Sequence, residues 1–441
     1  MTTLAAKHGV PGATLGILRG DELVQAATGV LNKKTGVEVT TDSLFQIGSI
    51  TKVWTTTLVM QLVDEGLLDL DAPLIAVLPE LRLSDPDVTK QVTMRHLLTH
   101  TSGIDGDVFE DTGRGDDCLE KYAEVLAGVS QNHPLGATWS YCNSGFSLAG
   151  RVIEKLTGKT WDEVLRERLI APLGLEHTVT LPEEALLHRA AVGHVNGDQL
   201  APVWGLQRSA GPAGLISSTV ADVLAFARLH LDGGLAPDGT RLLPEAAVAE
   251  MATKQADVPD QTTVDSWGLG WMRFAWGGQE VIGHDGGTIG QAAMLRILPS
   301  EGLAVALLTN GGNPSDLYNE LYREIFAELA EITLPAPLTP PAESVAVDLE
   351  RHTGRYERAG TTHEVLVADG EATLRTTVTG SLAALVPEPV QERKLVPVGN
   401  SGDLFAVRPD GALTWSAVTF YSLPTGEKYL HLGSRATPKV D

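Results

Sequence analysis

The chain opens with two short apolar runs. Ala13-Thr14-Leu15-Gly16-Ile17-Leu18 leads into a turn at Arg19-Gly20-Asp21, and residues 23–27 form the second run. Runs of this length bounded by turn residues predict a β-hairpin. From Ser43 the spacing changes. Residues 53–65 carry apolar side chains at helical intervals and stop at Gly66, a suitable C-terminal cap. Helical spacing then dominates to about residue 231, at 119–129, 146–156, 161–169 and 220–231. Between 267 and 310 the pattern returns to short apolar runs broken by glycine. These predict strands at 267–274, 280–283, 292–298 and 303–309, followed by a helix at 316–331. Strands at both ends with helices between them predict one α+β domain over residues 1–334, its antiparallel sheet built from the first and last segments. Residues 335–341, Pro-Ala-Pro-Leu-Thr-Pro-Pro, read as a semi-rigid linker. Runs at 364–367, 372–376, 414–420 and 429–433 predict a small all-β domain, barrel or sandwich, over 342–441.

Composition narrows the function. Of 441 residues, 43% are hydrophobic and 20% charged, which excludes a fibrous or wholly disordered chain. Lys and Arg number 33 against 56 Asp and Glu, a net charge of −23. Such a surface repels phosphate backbones and anionic lipid, so neither nucleic acid nor membrane is an expected partner. No run approaches the roughly 18 apolar residues of a membrane helix. The first residues lack a basic start followed by an apolar stretch, so the expected location is cytoplasmic; a chain stripped of its leader would read the same. Two cysteines, Cys118 and Cys142, exclude a disulfide scaffold and a four-cysteine zinc site. They are expected to be unpaired buried thiols, with one bridge between them left open.

Three short segments carry candidate chemistry. In Gly48-Ser49-Ile50-Thr51-Lys52 the pattern turns helical, so Ser49 belongs near a helix N-terminus with Lys52 on the same face. A lysine amine there can take the serine proton, provided burial or a nearby cation lowers its pKa. Backbone N–H groups at such a turn suit a developing oxyanion. Tyr141-Cys142-Asn143 offers a phenol that can relay a proton and an amide that can bind a carbonyl. Gly283-His284-Asp285-Gly286-Gly287-Thr288 combines glycines, which let backbone approach a ligand, with a histidine that can donate a hydrogen bond or titrate near neutral pH. Each segment alone is more often structural than catalytic.

Together, in this order, Ser-x-x-Lys, Tyr-x-Asn and a His-x-Gly element resemble the serine β-lactamase and penicillin-binding-protein superfamily, in its class C-like branch of esterases and peptidases. The neighbouring sequences agree: residues 43–52, Arg95-His96-Leu97-Leu98-Thr99-His100-Thr101-Ser102-Gly103, and Gly214-Leu215-Ile216-Ser217-Ser218-Thr219 with Asp222. The resemblance covers about residues 8–330. It implies that Ser49 forms an acyl-enzyme, that Lys52 and Tyr141 share acid–base work, and that Asn143 orients Lys52 and the substrate. His284 would stand where the family usually has the lysine of Lys-Thr-Gly, and the N–H groups of Ser49 and Gly287 would form the oxyanion hole. A histidine is a weaker, pH-dependent anion anchor. That departure, with the absence of an export signal, demotes β-lactamase and cell-wall transpeptidase activity.

The expected function is therefore hydrolysis of ester or amide bonds in a small-molecule or peptide acyl substrate, with no metal and no cofactor. Alternatives are a penicillin-binding-protein-type thioesterase or acyl transferase that cyclises or aminolyses peptides, a β-lactamase, a D-stereospecific peptidase, or a dead scaffold. The all-β domain resembles the lipocalin-like appendages of some family members. In it, Arg435 at the end of a late strand could hold a substrate carboxylate in place of the missing lysine, the plainer reading being a surface arginine. His96 and His100, four apart, lack a third metal ligand. The acidic stretch from Asp105 to Asp111 lacks the calcium-loop pattern and is expected to be a solvated loop at the cleft mouth. Oligomeric state is open.

Overall fold

The first apolar run and the last one meet in space. In the computed structural model, which describes residues 1–342, 346–380, 383, 388–408 and 411–441, β1 (Gly12–Arg19) is flanked by β2 (Glu22–Asn32) and by a strand nearly 300 residues later, β13 (Leu303–Thr309). Ala13 lies opposite Thr309 and Arg19 opposite Leu303, antiparallel throughout. Every residue of β13 is buried, as its unbroken Leu-Ala-Val-Ala-Leu-Leu run requires of a central strand. β3 (Val37–Glu38) lies outside β2. Two short ladders lie apart: β4 (Phe45–Gln46) with β7 (Ser217–Ser218), and β5 (His194–Val195) with β6 (Gln199–Leu200). The main sheet continues through β8 (Ala256–Asp257), β9 (Ser266–Trp267), β10 (Met272–Trp276), β11 (Gln279–Thr288) and β12 (Gln291–Leu298). Its nine strands run β3-β2-β1-β13-β12-β11-β10-β9-β8.

The helix Thr51–Asp64 is almost wholly buried, although it carries four threonines. It can be so because their hydroxyls are satisfied: Thr56 and Thr57 donate to the carbonyls of Lys52 and Val53 one turn back, and Thr55 to that of Pro212. Apolar side chains of the helical region and of one sheet face form one core around this helix, while the helix Pro314–Ala330 closes the other face with Leu317, Leu321, Tyr322 and Phe326.

The second unit is an antiparallel meander of eight strands: β14 (Gly354–Arg358), β15 (Thr361–Ala368), β16 (Glu371–Val378), β17 (Val390–Pro397), β18 (Leu404–Val407), β19 (Ser416–Ser422), β20 (Lys428–Leu432) and β21 (Arg435–Pro438). A bridge from Tyr356 to Lys439 brings its first and last strands together, making a nearly closed barrel. Tyr356, Val365, Leu374, Leu395, Phe405, Val418, Phe420 and Leu430 fill it. Both cysteines are free and buried. No described helix is long and apolar enough to cross a membrane.

The expected helices at 53–65 and 220–231 match the Thr51–Asp64 and Val220–Leu231 helices closely. The strand expected at 280–283 runs on five residues further, to Thr288.

Candidate active site

Ser49 sits in a single 3-10 turn, Gly48–Ile50, that feeds directly into the Thr51–Asp64 helix. The turn is fixed from behind by the β4–β7 ladder, whose last bond is Ile47 N–H to the Ile216 carbonyl. It is fixed from the front by β11. Gly48 has φ +52, and a methyl group there would strike the Gly287 backbone; one on Gly286 would overlap the Ile47 carbonyl. The glycines of the His284 segment thus allow strand and nucleophile turn to touch, which is why the strand persists through them.

Lys52 is fully buried, and its Nζ has three oxygen neighbours: Ser49 Oγ at 3.0 Å, Asn143 Oδ1 at 2.7 Å and the Ala213 carbonyl at 2.6 Å. It also lies 4.8 Å from the centre of the Tyr141 ring. Burial pushes its pKa well below the usual lysine range, and the positive charge of Arg435 pushes the same way. Two of the three neighbours are carbonyl oxygens, which only accept. In the neutral amine they hold two N–H groups, and the lone pair is left for the Ser49 hydroxyl.

Tyr141 and Asn143 straddle the start of the helix Asn143–Thr157. Cys142 is its N-cap, its sulfur accepting from Gly145 N–H. Cys142 N–H in turn donates to His100 Nδ1. The Tyr141 hydroxyl has no hydrogen-bond partner among the described residues. Burial pushes its pKa up, against the opposing pull of Ser49 and Arg435, so the phenol stays protonated. His284 is buried, with Nδ1 2.6 Å from the Asp285 carbonyl oxygen and Nε2 unpartnered. Burial, aided by the Lys52 charge, lowers its pKa to about 3. The expectation that this histidine titrates near neutral pH is corrected: its ring is neutral there.

Ser49, Tyr141, Asn143, His284, Gly287 and Arg435 all line one cleft of about 470 Å³. Phe109, Leu206, Trp267, Met272 and Met294 make much of its remaining wall apolar.

Two expectations about the wall are corrected, the second only in part, because Glu110 and Asp111 are exposed as expected. Arg435 is no surface arginine. It lies over the Tyr141 ring at 4.9 Å, and it donates Nε–H and Nη2–H to Asp107 and Nη1–H to the Gly433 carbonyl. Nor are Asp105 and Asp107 solvated. Both are buried; Asp105 accepts from the Ala359 N–H, and Asp107 from Arg435, Arg358 and Asn143. Burial alone would raise the Asp107 pKa, but the two arginines and the Asn143 amide lower it to about 2. Nothing in the sequence singled out Asp107 from the acids around it, or Arg358 at all. His96 caps its own helix through Thr93, and among the described residues no cluster could hold a metal ion.

Residues 1–330 match the Beta-lactamase family. The chain belongs to that family. Penicillin-binding protein 4 of Amycolatopsis lactamdurans is 47% identical over 364 residues, 81% of this chain and 96% of that protein. Among solved structures, SurE with D-Leu superposes with a TM-score of 0.78 at 30% identity, covering 99% of this chain and 97% of the other. The likeness therefore extends through the barrel. The D-amino acid amidase of Ochrobactrum anthropi SV3 complexed with L-phenylalanine amide gives a TM-score of 0.61 at 27% identity, over 73% of this chain and 96% of that one. This member of the β-lactamase family is a serine hydrolase with a C-terminal eight-stranded barrel.

Proposed function

We propose that this hydrolase cleaves the amide or ester bond before a terminal D-residue, through an acyl group carried on Ser49. The observation that carries the reading is Lys52 Nζ, buried and 3.0 Å from Ser49 Oγ, with its other bonds directed to two carbonyls.

In the first half-reaction Ser49 Oγ attacks the acyl carbonyl and its proton passes to the Lys52 amine. Backbone N–H groups of Ser49 and Gly287 hold the oxyanion. Tyr141, a protonated phenol beside Ser49, donates to the leaving nitrogen or oxygen and is reprotonated from Lys52. Water repeats the sequence on the acyl-enzyme and restores Ser49. His284, neutral, offers Nε2 to a polar group of the bound substrate. Asn143 orients Lys52.

Arg435 supplies the reason for a terminal residue. Three of its five N–H groups have protein partners, which leaves two at the cleft wall for a carboxylate. The D configuration is drawn from SurE, whose structure holds D-Leu, and from the relative named for D-amino acid amides. Release of free D-Leu from N-acyl dipeptides is the test. Wild type is expected to act on the D-terminal free acid and poorly on its L epimer, and Ser49→Ala on neither. Arg435→Ala should raise KM for the free acid by a larger factor than for the carboxamide-capped peptide, the part common to both reflecting the weakened hold on Asp107. Equal turnover of acid and capped peptide would remove Arg435 from substrate binding.

A second reading, transfer of the acyl group to an amine, has support in the apolar wall of Phe109, Leu206, Trp267, Met272 and Met294, which shelters an acyl-enzyme from water. Added D-Leu competing with water for the acyl group would select it.

A further inference from the structure

The two barrel turns reaching the cleft grip a carboxylate rather than merely walling the site. Arg358 Nη1 reaches Asp107 at 2.6 Å and the following Ala359 N–H reaches Asp105 at 2.5 Å. Arg435 takes Asp107 from the other turn at 3.0 and 2.8 Å. That second turn is itself tied down, because the Ser434 carbonyl accepts from Tyr141 N–H and Ala436 N–H donates to Ser140 Oγ. Asp107 has one further partner, Asn143 Nδ2 at 3.0 Å.

An asparagine amide can face either way. With its oxygen toward Lys52 it accepts an N–H and leaves the amine lone pair for Ser49. Flipped, it would point an N–H at that lone pair and compete with the serine proton. An ionised carboxylate only accepts, so Asp107 tolerates Nδ2 and rejects Oδ1. Two arginines from the barrel keep that carboxylate charged while it is buried.

We infer that Asp107 is a positioning residue for the Lys52 base, acting through the orientation of Asn143, and that the barrel is part of the catalytic apparatus because it holds Asp107. The inference rests on Ser49 and Lys52 being nucleophile and base. Hydrogen bonds run from Arg435 through Asp107, Asn143 and Lys52 to Ser49, so sequence positions more than 300 residues apart act on one proton. Charged or titratable groups around Lys52 are Asp107 and Arg435 from this clamp, Tyr141 and Cys142 from the segment before the Asn143 helix, His100, and His284 from β11.

The test is the rate at which a fluorophosphonate labels Ser49 across pH 5–9, with thermal melting of each full-length variant. Wild type is expected to label, with the rate falling toward acid as Lys52 takes a proton. Asp107→Asn keeps the shape but no longer dictates which way Asn143 faces. Labelling at saturating pH should slow by about 100-fold, the scale of a misplaced catalytic group. The acid limb should also move to lower pH, because Arg435 is left without its counter-charge beside Lys52. Asp107→Asn with Arg435→Gln should bring the limb back toward its wild-type position and recover thermal stability without recovering the rate. A folded Asp107→Asn protein with wild-type rate and limb would overturn the inference. So would recovery of the rate together with stability in the double variant, which would make the clamp purely structural. Failure of wild type to label at any pH would overturn the reading of Ser49 beneath it, an outcome separate from both.

Discussion

Two arginine–aspartate pairs face the same cleft, and they are built the opposite way round. Arg296 of β12 holds Asp285 of β11 at 2.6 and 3.1 Å; the arginine is 3% exposed and the carboxylate 40%. Arg435 holds Asp107 across the two domains, and here the carboxylate is 8% exposed and the arginine 23%. The first pair arises within neighbouring strands of one sheet, with the Arg296 guanidinium 4.4 Å from the Phe274 ring and 4.9 Å from the Tyr318 ring. Its buried member serves the fold, and its open member shows the cleft an anion. The second pair shows the cleft a cation and uses its buried member to reach the nucleophile. Identical pair chemistry thus gives one wall of each sign, and a substrate with both a carboxylate and a polar N–H meets complementary charge on two sides.

The largest effect expected is at the nucleophile. Ser49→Ala should abolish both turnover and the acyl adduct seen by intact-mass spectrometry; persistent turnover would show that neither pair serves this serine. Lys52→Ala and Tyr141→Phe should each lose about 100-fold or more in kcat/KM, as acid–base groups do. Urea unfolding separates the pairs next. Asp285→Ala leaves the buried Arg296 charge without a partner and should cost about 3 kcal/mol or more, whereas Arg296→Met leaves a carboxylate that water can reach and should cost less. Arg435→Met should also cost less than Asp285→Ala, because Arg358 still neutralises Asp107. The reverse ranking would refute the assignment of buried and open members. The smallest change is expected at His284. With a pKa of about 3 it has no part in titrations between pH 5 and 8, so His284→Gln should leave the position of the acid limb unmoved in that window even where it lowers the rate.

The acid end of the pH scale adds a sign. The Asp107 pKa lies below that of an unfolded aspartate, so the clamp contributes its full stability above about pH 4 and loses it as pH falls toward 2. Domain contacts should loosen in that interval and not on the alkaline side. Tryptophan emission is a suitable monitor, since Trp139 packs against both Tyr141 and the barrel's His431.

What the sequence made legible follows the same division. Ser49 and Lys52 are three residues apart, and helix geometry converts that spacing directly into proximity; Tyr141 and Asn143 were legible through the family resemblance rather than through their spacing. The hairpin and the fully apolar β13 were legible for a similar reason, since a periodic pattern states its own secondary structure. Residues 284–288 were harder. The strand was assigned only at 280–283; it continues to Thr288, and Gly286 lies so close to the Ser49 turn that a side chain there would overlap the Ile47 carbonyl. Asp107 was not legible at all. An acid in a run of acids reads as solvated, and its burial depends on two arginines that lie 251 and 328 positions away.

Arg435 follows Ser49 and Lys52 by more than 380 residues in the chain. A ribosome therefore releases the serine and its lysine long before it makes the residue that restrains Asp107. Throughout that interval the nascent chain carries a reactive pair whose supporting amide is free to turn. On this reading a polypeptide interrupted in the proline-rich segment lacks both arginines that hold Asp107, and its serine is expected to react about 100-fold more slowly.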